Sequence, residues 1–297
     1  MKGCLNRSCA WLRMAAFCVS CLAAVLSAPT ADASLTIGQL PSGRPTPSCT
    51  TSGIDYLQPS VTSGGNLYVA REAGTITSWS TSSSGAGAVY VLKVFRRTTD
   101  PDAFQVVAHT SPHVLSSGLN TVPVSVPVQP GDMLGYHESG PPNSCTFTEL
   151  GDNVITRTGD LADGDSGVFA PENDARLNLS VELVPDNSFT LSGITRDRKR
   201  GIATITATTS NPGAVAIAGK RMKKRPPKNL GVAGRVSFTV VAAGKARHRL
   251  KRKGRLVVPL LVTYFPTAGE PSTQAINVKL KKIRKRKKIR PHPPAGR

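Results

Sequence analysis

Between residues 74 and 280 the chain keeps returning to one pattern: a short run of alternating or β-branched residues, closed by Gly, Pro, Ser or Asp. Gly74-Thr-Ile-Thr-Ser-Trp79-Ser80 alternates, residues 89–95 are β-branched and aromatic, and residues 104–108 and 122–128 follow. Such runs suit a pleated, half-buried surface. Residues 177–184 alternate too, which puts Leu177, Leu179, Val181 and Leu183 on one face. Residues 201–208, 214–218, 235–241, 255–262 and 273–280 repeat the logic. Nowhere does an apolar spacing of three and four persist long enough to demand a long helix, and no solenoid period is visible. The pattern predicts an all-β protein: a jelly-roll-like antiparallel β-sandwich followed by an immunoglobulin-like β-sandwich. Pro123 and Pro127 lack the amide a central strand needs, so their run belongs on an edge or at a bulge.

Charge divides the chain at the same place. The whole sequence of 297 residues carries 38 Lys and Arg against 18 Asp and Glu, a net of +20. Residues 34–188 hold 7 basic and 15 acidic residues, a net of −8, whereas residues 189–297 hold 28 basic and 2 acidic, a net of +26. The expected domains are therefore an acidic sandwich over 34–188, a basic one over 189–281 and a mobile basic tail over 282–297, whose composition cannot bury a core. A hydrophobic share of 39% argues against disorder throughout. The apolar runs of a multi-pass membrane protein and the cysteine density of a disulfide mini-domain are both missing.

The first 33 residues read as an export signal. Lys2, Arg7 and Arg13 form a basic start, residues 14–26 carry no charge, and Ala31-Asp32-Ala33 supplies a small-x-small cleavage pattern. An apolar run of 13 residues is too short to cross about 30 Å of hydrocarbon. Cleavage after Ala33 removes Cys4, Cys9, Cys18 and Cys21, and leaves Cys49 and Cys145 as one bridge or two unpaired thiols. In an exported chain one bridge is expected, and the loop it closes would contribute about 4 to 5 kcal/mol.

The acidic half resembles a family of uncharacterised exported β-sandwich domains of actinobacterial surface proteins. The resemblance rests on the placement of Cys49 and Cys145, on Gly74-Thr-Ile-Thr-Ser-Trp79, Leu92-Lys-Val-Phe-Arg96 and Val126-Pro-Val-Gln-Pro-Gly-Asp132-Met-Leu-Gly135, and on Leu177-Asn-Leu-Ser with Val184-Pro-Asp186. Members often continue into calcium-binding repeats. Here the chain turns directly into Phe189-Thr-Leu-Ser-Gly-Ile and the basic module, so that role is not carried over. Residues 189–280 resemble the Lys-rich immunoglobulin-like units that close many such surface proteins. Neither resemblance implies a catalytic residue or a cofactor.

Four constellations could carry chemistry. Gly164-Asp-Ser166-Gly167 with His109 upstream echoes a serine-protease motif, but only 57 residues separate His109 from Ser166, where that fold needs about 140. Asp160, Asp163 and Asp165, with Glu172 and Asp174 near them, offer oxygen ligands for calcium, at a spacing unlike the EF-hand. A solvated acidic loop is the default. His109, His113, His137, His248 and His292 are too scattered to suggest zinc, and Trp79 is read as core packing rather than a stacking platform.

What stands out is the run of basic clusters: Arg196, Arg198, Lys199 and Arg200; Lys223, Lys224 and Arg225; Lys251, Arg252 and Lys253; then Lys281, Lys282, Arg284, Lys285, Arg286, Lys287 and Lys288. So large an excess exceeds what solubility needs and costs stability through self-repulsion. The expected partners are anionic cell-wall polymers or the lipid headgroups of a membrane surface. The sequence reading is a non-catalytic, secreted, envelope-associated protein without cofactor or metal, with no membrane span left once the signal is removed. A glycan-binding module in residues 34–188 is the first alternative. A nucleic-acid binder is the second, opposed by export and by a shortage of aromatic residues for base stacking.

Overall fold

The computed structural model describes residues 34–41, 52–62, 67–141 and 145–283, all within one compact unit. Residues 1–33 with the expected signal, Cys49, and Arg284, Lys285, Arg286, Lys287 and Lys288 lie outside the described residues. Cys145 is buried and disulfide-bonded. No helix among the described residues is long and apolar enough to cross a membrane.

The first half is built of β1 (Leu35–Gln39), β2 (Ile54–Leu57), β3 (Gly74–Ser83), β4 (Val89–Arg97), β5 (Ala103–His109), β6 (His113–Val114), β7 (Gly118–Val128), β8 (Met133–Ser139), β9 (Thr146–Thr158), β10 (Ser166–Val168), β11 (Ala170–Leu177) and β12 (Leu179–Pro185). One sheet has the order β1-β12-β3-β7 and the heart of the other is β2-β8-β4-β5, every pairing antiparallel. Eight strands in these two orders make a jelly roll. The β9–β11 pair extends the second sheet beyond β2, β10 extends it beyond β5, and β6 pairs with β4.

Side-chain alternation gives the second sheet two buried faces. Tyr90, Leu92 and Val94 of β4 point between the sheets, where they join Tyr68, Ile76, Trp79 and Tyr136. Phe95 joins Leu57, Phe104, Val106, Met133, Leu161 and Phe169 in a smaller core on the other face. Trp79 is 1% exposed and serves the core, as its alternating strand predicts.

Two details refine the sequence reading. β7 is an edge strand, where missing amides do least harm; Pro123, opposite Ser78, borders a register shift between Ile76 and Ser78, and Pro127 pairs with Thr75. The alternating run over 177–184 is not one strand. Leu177, Leu179, Val181 and Leu183 all reach one core, but the chain leaves the second sheet at Leu177 and enters the first at Leu179. Asn178 makes the crossing: its amide donates to Ser82 O at 2.6 Å, and its backbone N–H to Cys145 O at 3.0 Å. Periodicity alone cannot register a change of partner sheet.

The second half comprises β13 (Phe189–Asp197), β14 (Ile202–Thr209), β15 (Gly213–Ala218), β16 (Lys228–Leu230), β17 (Gly234–Val241), α1 (Gly244–Lys253), β18 (Arg255–Pro266) and β19 (Ser272–Lys281). Sheets of order β13-β14-β17 and β16-β15-β18-β19 face each other, the three-on-four arrangement of an immunoglobulin-like sandwich. Phe189, Ile205, Phe238, Val258, Val262 and Tyr264 fill its core.

Helix α1 departs from the strand-only pattern of the sequence. Only Leu250 along it is buried, so it lacks the apolar stripe by which a helix is recognised. It stops at Gly254, which takes φ 70° and donates its N–H to Leu250 O, and Lys251, Arg252 and Lys253 complement the negative end of its dipole. Of the expected tail over 282–297, only its first two residues are described. Lys282 N–H donates to Gly254 O and Ile283 N–H to Arg198 O, so both residues are fixed to the sandwich.

Hydrogen bonds between neutral groups join the halves. Asn211, fully buried, accepts the Ala73 N–H at 2.6 Å and donates to Ala73 O and Asp186 O, each at 2.9 Å. Tyr264 ties the same turn down by donating to Asn211 O at 2.8 Å. Their opposite net charges suggest docking through the basic surface; the junction instead lies at the other end of the sandwich.

Candidate functional site

In an immunoglobulin-like sandwich the β13–β14, β15–β16 and β17–β18 connections and the end of β19 all emerge at one end. Those are the segments that carry the basic clusters. Among the described residues, every cluster expected to bind anions therefore converges on one pole. β14, of eight residues, separates this pole from the junction by about 25 Å.

Backbone bonds hold the pole together. Asp197 shapes the β13–β14 turn by accepting the Arg200 N–H on its carboxylate at 2.9 Å, and Gly201 closes the turn at φ +73°. Lys282 reaches across to donate to Lys199 O at 3.0 Å and Arg200 O at 3.2 Å. Lys223 N–H donates to Val241 O at 2.8 Å and Ala243 N–H to Arg221 O at 3.0 Å, which fixes the β15–β16 segment beside α1. Leu250 and Ala246 anchor the helix on the core.

This packing leaves a cleft on each flank of α1. One, of about 160 Å³, is lined by Arg200, Lys223, Arg247, Lys251 and Lys282. The other, of about 370 Å³, is lined by Lys220, Arg221, Lys245 and Arg249. No aromatic and no acidic residue lines either. The described salt bridges all lie in the first half, so among the described residues no basic side chain of the pole is neutralised by a carboxylate within 4.0 Å. Uncompensated like charges this close repel within a Debye length of about 8 Å, and a polyanion relieves that repulsion when it binds.

The expected site residues are placed unequally. Arg200, Lys223, Lys251 and Lys282 line the first cleft. Arg198, Lys199, Lys224 and Arg225 are exposed on the flanking loops, and Arg252 and Lys253 on the last turn of α1. Arg196 spends its Nε on Lys279 O at 2.9 Å, and Lys281 ends β19 half-buried. Lys220, Arg221, Lys245, Arg247 and Arg249, which fall inside the basic runs 220–228 and 245–255, also line the clefts. A signal for the helix that gathers them was present: Gly254 directly follows a basic last turn.

The acidic half shows what its candidate residues do. Lys93, 1% exposed, donates to Asp55 Oδ1 at 2.6 Å, Asp160 Oδ1 at 2.5 Å and Leu161 O at 2.8 Å. His137 Nδ1 lies 3.0 Å from Asp55 Oδ1, and Asp55 Oδ2 accepts the Leu161 N–H at 3.0 Å. Asp55, His137 and Asp160 could together ligate a metal ion, but the Lys93 ammonium occupies the position a cation would take between the two carboxylates. Burial would raise the Asp160 carboxyl, yet the Lys93 hydrogen bond and charge, helped by His137 and His109, hold it below the usual range.

The calcium reading meets the same difficulty. Asp163 is engaged by His109 Nδ1 at 2.7 Å and Asp165 accepts the Ala162 N–H at 3.3 Å, so the three carboxylates serve different partners. Asp174, at φ 57°, accepts the Gly151 N–H at 2.8 Å. His109, bound to Asp163, is not hydrogen-bonded to Ser166, which opens the short edge strand β10. For glycan stacking, among the described residues Phe265 of the basic half, 45% exposed, is the one aromatic not buried.

No family model and no curated protein matches the chain. Among solved structures it is similar to a β-D-glucuronidase of Dictyoglomus thermophilum, at 10% identity and a TM-score of 0.22, over 83% of this chain and 43% of that one. The chain thus spans less than half the length of that protein, and a likeness this slight assigns it nothing.

Proposed function

We propose that the chain is a non-catalytic envelope protein whose basic pole adheres to anionic cell-wall polymers while the acidic jelly roll is held outward. The observation that carries this reading is the convergence of basic residues from four segments on the end of the sandwich farthest from the jelly roll. Arg200 and Arg247 in one cleft, and Arg221 and Arg249 in the other, offer planar guanidinium groups that pair with two oxygens at once, among lysines that act as point charges. Without aromatic groups the clefts read charge rather than rings, which favours a linear polyanion over a base or a sugar face. The same chemistry accommodates anionic headgroups at a membrane surface.

Export through the first 33 residues and a Cys49–Cys145 bridge belong to this proposal, since an envelope protein is made and kept in an oxidising compartment. The test is co-sedimentation with isolated cell walls across a salt series, comparing the whole protein with residues 34–188. The proposal requires that the whole protein pellets, that rising salt releases it, and that the shorter one stays in solution. Salt-insensitive pelleting of residues 34–188 would assign wall binding to the jelly roll instead.

A further inference from the structure

The outer face of the sheet β16-β15-β18-β19 carries an apolar surface that the tether does not use. Val257, Leu261 and Phe265 of β18 are 45%, 53% and 45% exposed, and Pro259 is exposed between them. The register sets Ala218 opposite Leu261 on one side and Ala275 opposite it on the other, so the row is flanked by small residues. Thr263 and Thr273 satisfy one another through their hydroxyls at 3.0 Å. Asn277 faces Pro259, and charge enters at the two ends, where Val257 faces Lys279 at the basic one and Ala214 shares a cleft with Arg71 and Glu72 at the other. Central strands of a solvated sheet normally alternate apolar inside with polar outside, and here both faces are apolar.

We propose that this face pairs with the same face of a second copy, antiparallel, about a two-fold axis passing near Leu261. Two arguments select that occupant. From Val257 to Phe265 is about 27 Å along the strand; β18 and β19 run this length while β15 adds 6 residues and β16 adds 3 at the junction end, so strands about 4.8 Å apart make a footprint of about 400 Å² per copy. A pair buries about 800 Å², the size of a weak, transient contact, so the pairing is expected only at high protein concentration. The second argument is charge. β18 runs from Arg255 at the basic pole to Pro266 near the junction, so antiparallel pairing turns the basic pole of one copy towards the junction end of the other and keeps the two poles apart. Parallel pairing would set two basic poles side by side. Sheets stacked face to face in this way align within about 30°.

The pairing is isologous, so Leu261 meets Leu261 of the second copy, and Val257 meets Phe265. Sedimentation of the purified protein from low micromolar to near millimolar concentration should show a monomer giving way to a dimer. Leu261→Asp, which sets two carboxylates together at the axis, should leave a monomer with an unchanged melting transition. Under mild oxidation Leu261→Cys should cross-link to itself. Val257→Cys should cross-link only when mixed with Phe265→Cys. A monomer at every concentration would overturn the proposal. A dimer that survives Leu261→Asp, or Val257→Cys linking to itself, would also overturn it, by placing the contact elsewhere or in parallel.

Discussion

Replacing Lys93 by Met should destabilise the jelly roll more than any single change at the basic pole. The methionine fills a similar volume but withdraws three hydrogen bonds, to Asp55, Asp160 and Leu161 O. Asp160 is 63% exposed and can return to water, so most of the cost falls on Asp55, which is fully buried. Removing one partner of a buried pair typically costs 3–5 kcal/mol. Asp55 keeps His137 and the Leu161 N–H, so we expect the lower end, about 3 kcal/mol. In urea, with a slope of about 2–3 kcal/mol/M, that moves the midpoint by about 1 M. Fluorescence of Trp79, in the same sandwich, follows the transition. Asp160→Asn should cost under about 1 kcal/mol because of its exposure. The double variant Lys93→Met with Asp55→Leu should recover about 2 kcal/mol of the loss by removing the stranded charge. A loss below about 1 kcal/mol for Lys93→Met would refute the assignment of this network as the lock between the loop at Asp160 and the sheet.

Other consequences are more quickly stated. Asn211→Ala leaves Ala73 N–H and Asp186 O without their partner, while Ala73 O keeps the Asp186 N–H, at about 2–4 kcal/mol, and should split the melting curve into two transitions; one unchanged transition would show that the halves couple elsewhere. Burial raises the Glu138 carboxyl to about 7, with His137 opposing, and neither of its oxygens accepts a hydrogen bond. Its protonated form is the one the fold prefers, so this contribution is full below the ordinary value of 4.5 and is lost as pH rises through about 7. Glu138→Gln should therefore stabilise by about 2 kcal/mol at alkaline pH and by little under acid, and equal effects at both would contradict the burial argument. Binding of long-chain polyphosphate should weaken with salt, and Arg221→Ser with Arg249→Ser should reduce the logarithmic slope by about 1.4. An unaltered slope would place the ligand away from that cleft.

Local rules carried far in this chain where the information is local. Val89 to Arg97 was readable as a strand because β-branched and aromatic residues fill it, and Pro123 with Pro127 announced an edge because an imide cannot donate. What stayed hidden depends on partners distant in sequence. Lys93 reads as one more strand residue, and only the packing of β8 between β4 and β2 gathers Asp55, Lys93 and His137 on one face of the sheet. Asn178 reads as a polar position in a continuous strand, yet it is where the chain changes sheets. At the basic pole the residue types were legible and their convergence was not. Clusters separated by twenty to thirty residues become neighbours because antiparallel connections alternate between two ends, and α1, almost bare of apolar contacts, leaves no periodic trace.

The central claim is that anion binding belongs to one pole rather than to net charge. The measurement that tests it most directly compares wall binding of two variants with identical loss of charge. Arg247→Gln with Lys251→Gln removes both α1 cations from the cleft they share with Arg200, Lys223 and Lys282, while Arg71→Gln with Arg235→Gln removes two positive charges from exposed positions outside both clefts. At moderate salt the first pair should lose most of the binding and the second should retain it. Equal losses from both pairs would contradict the account and leave only the total charge of the chain as the determinant.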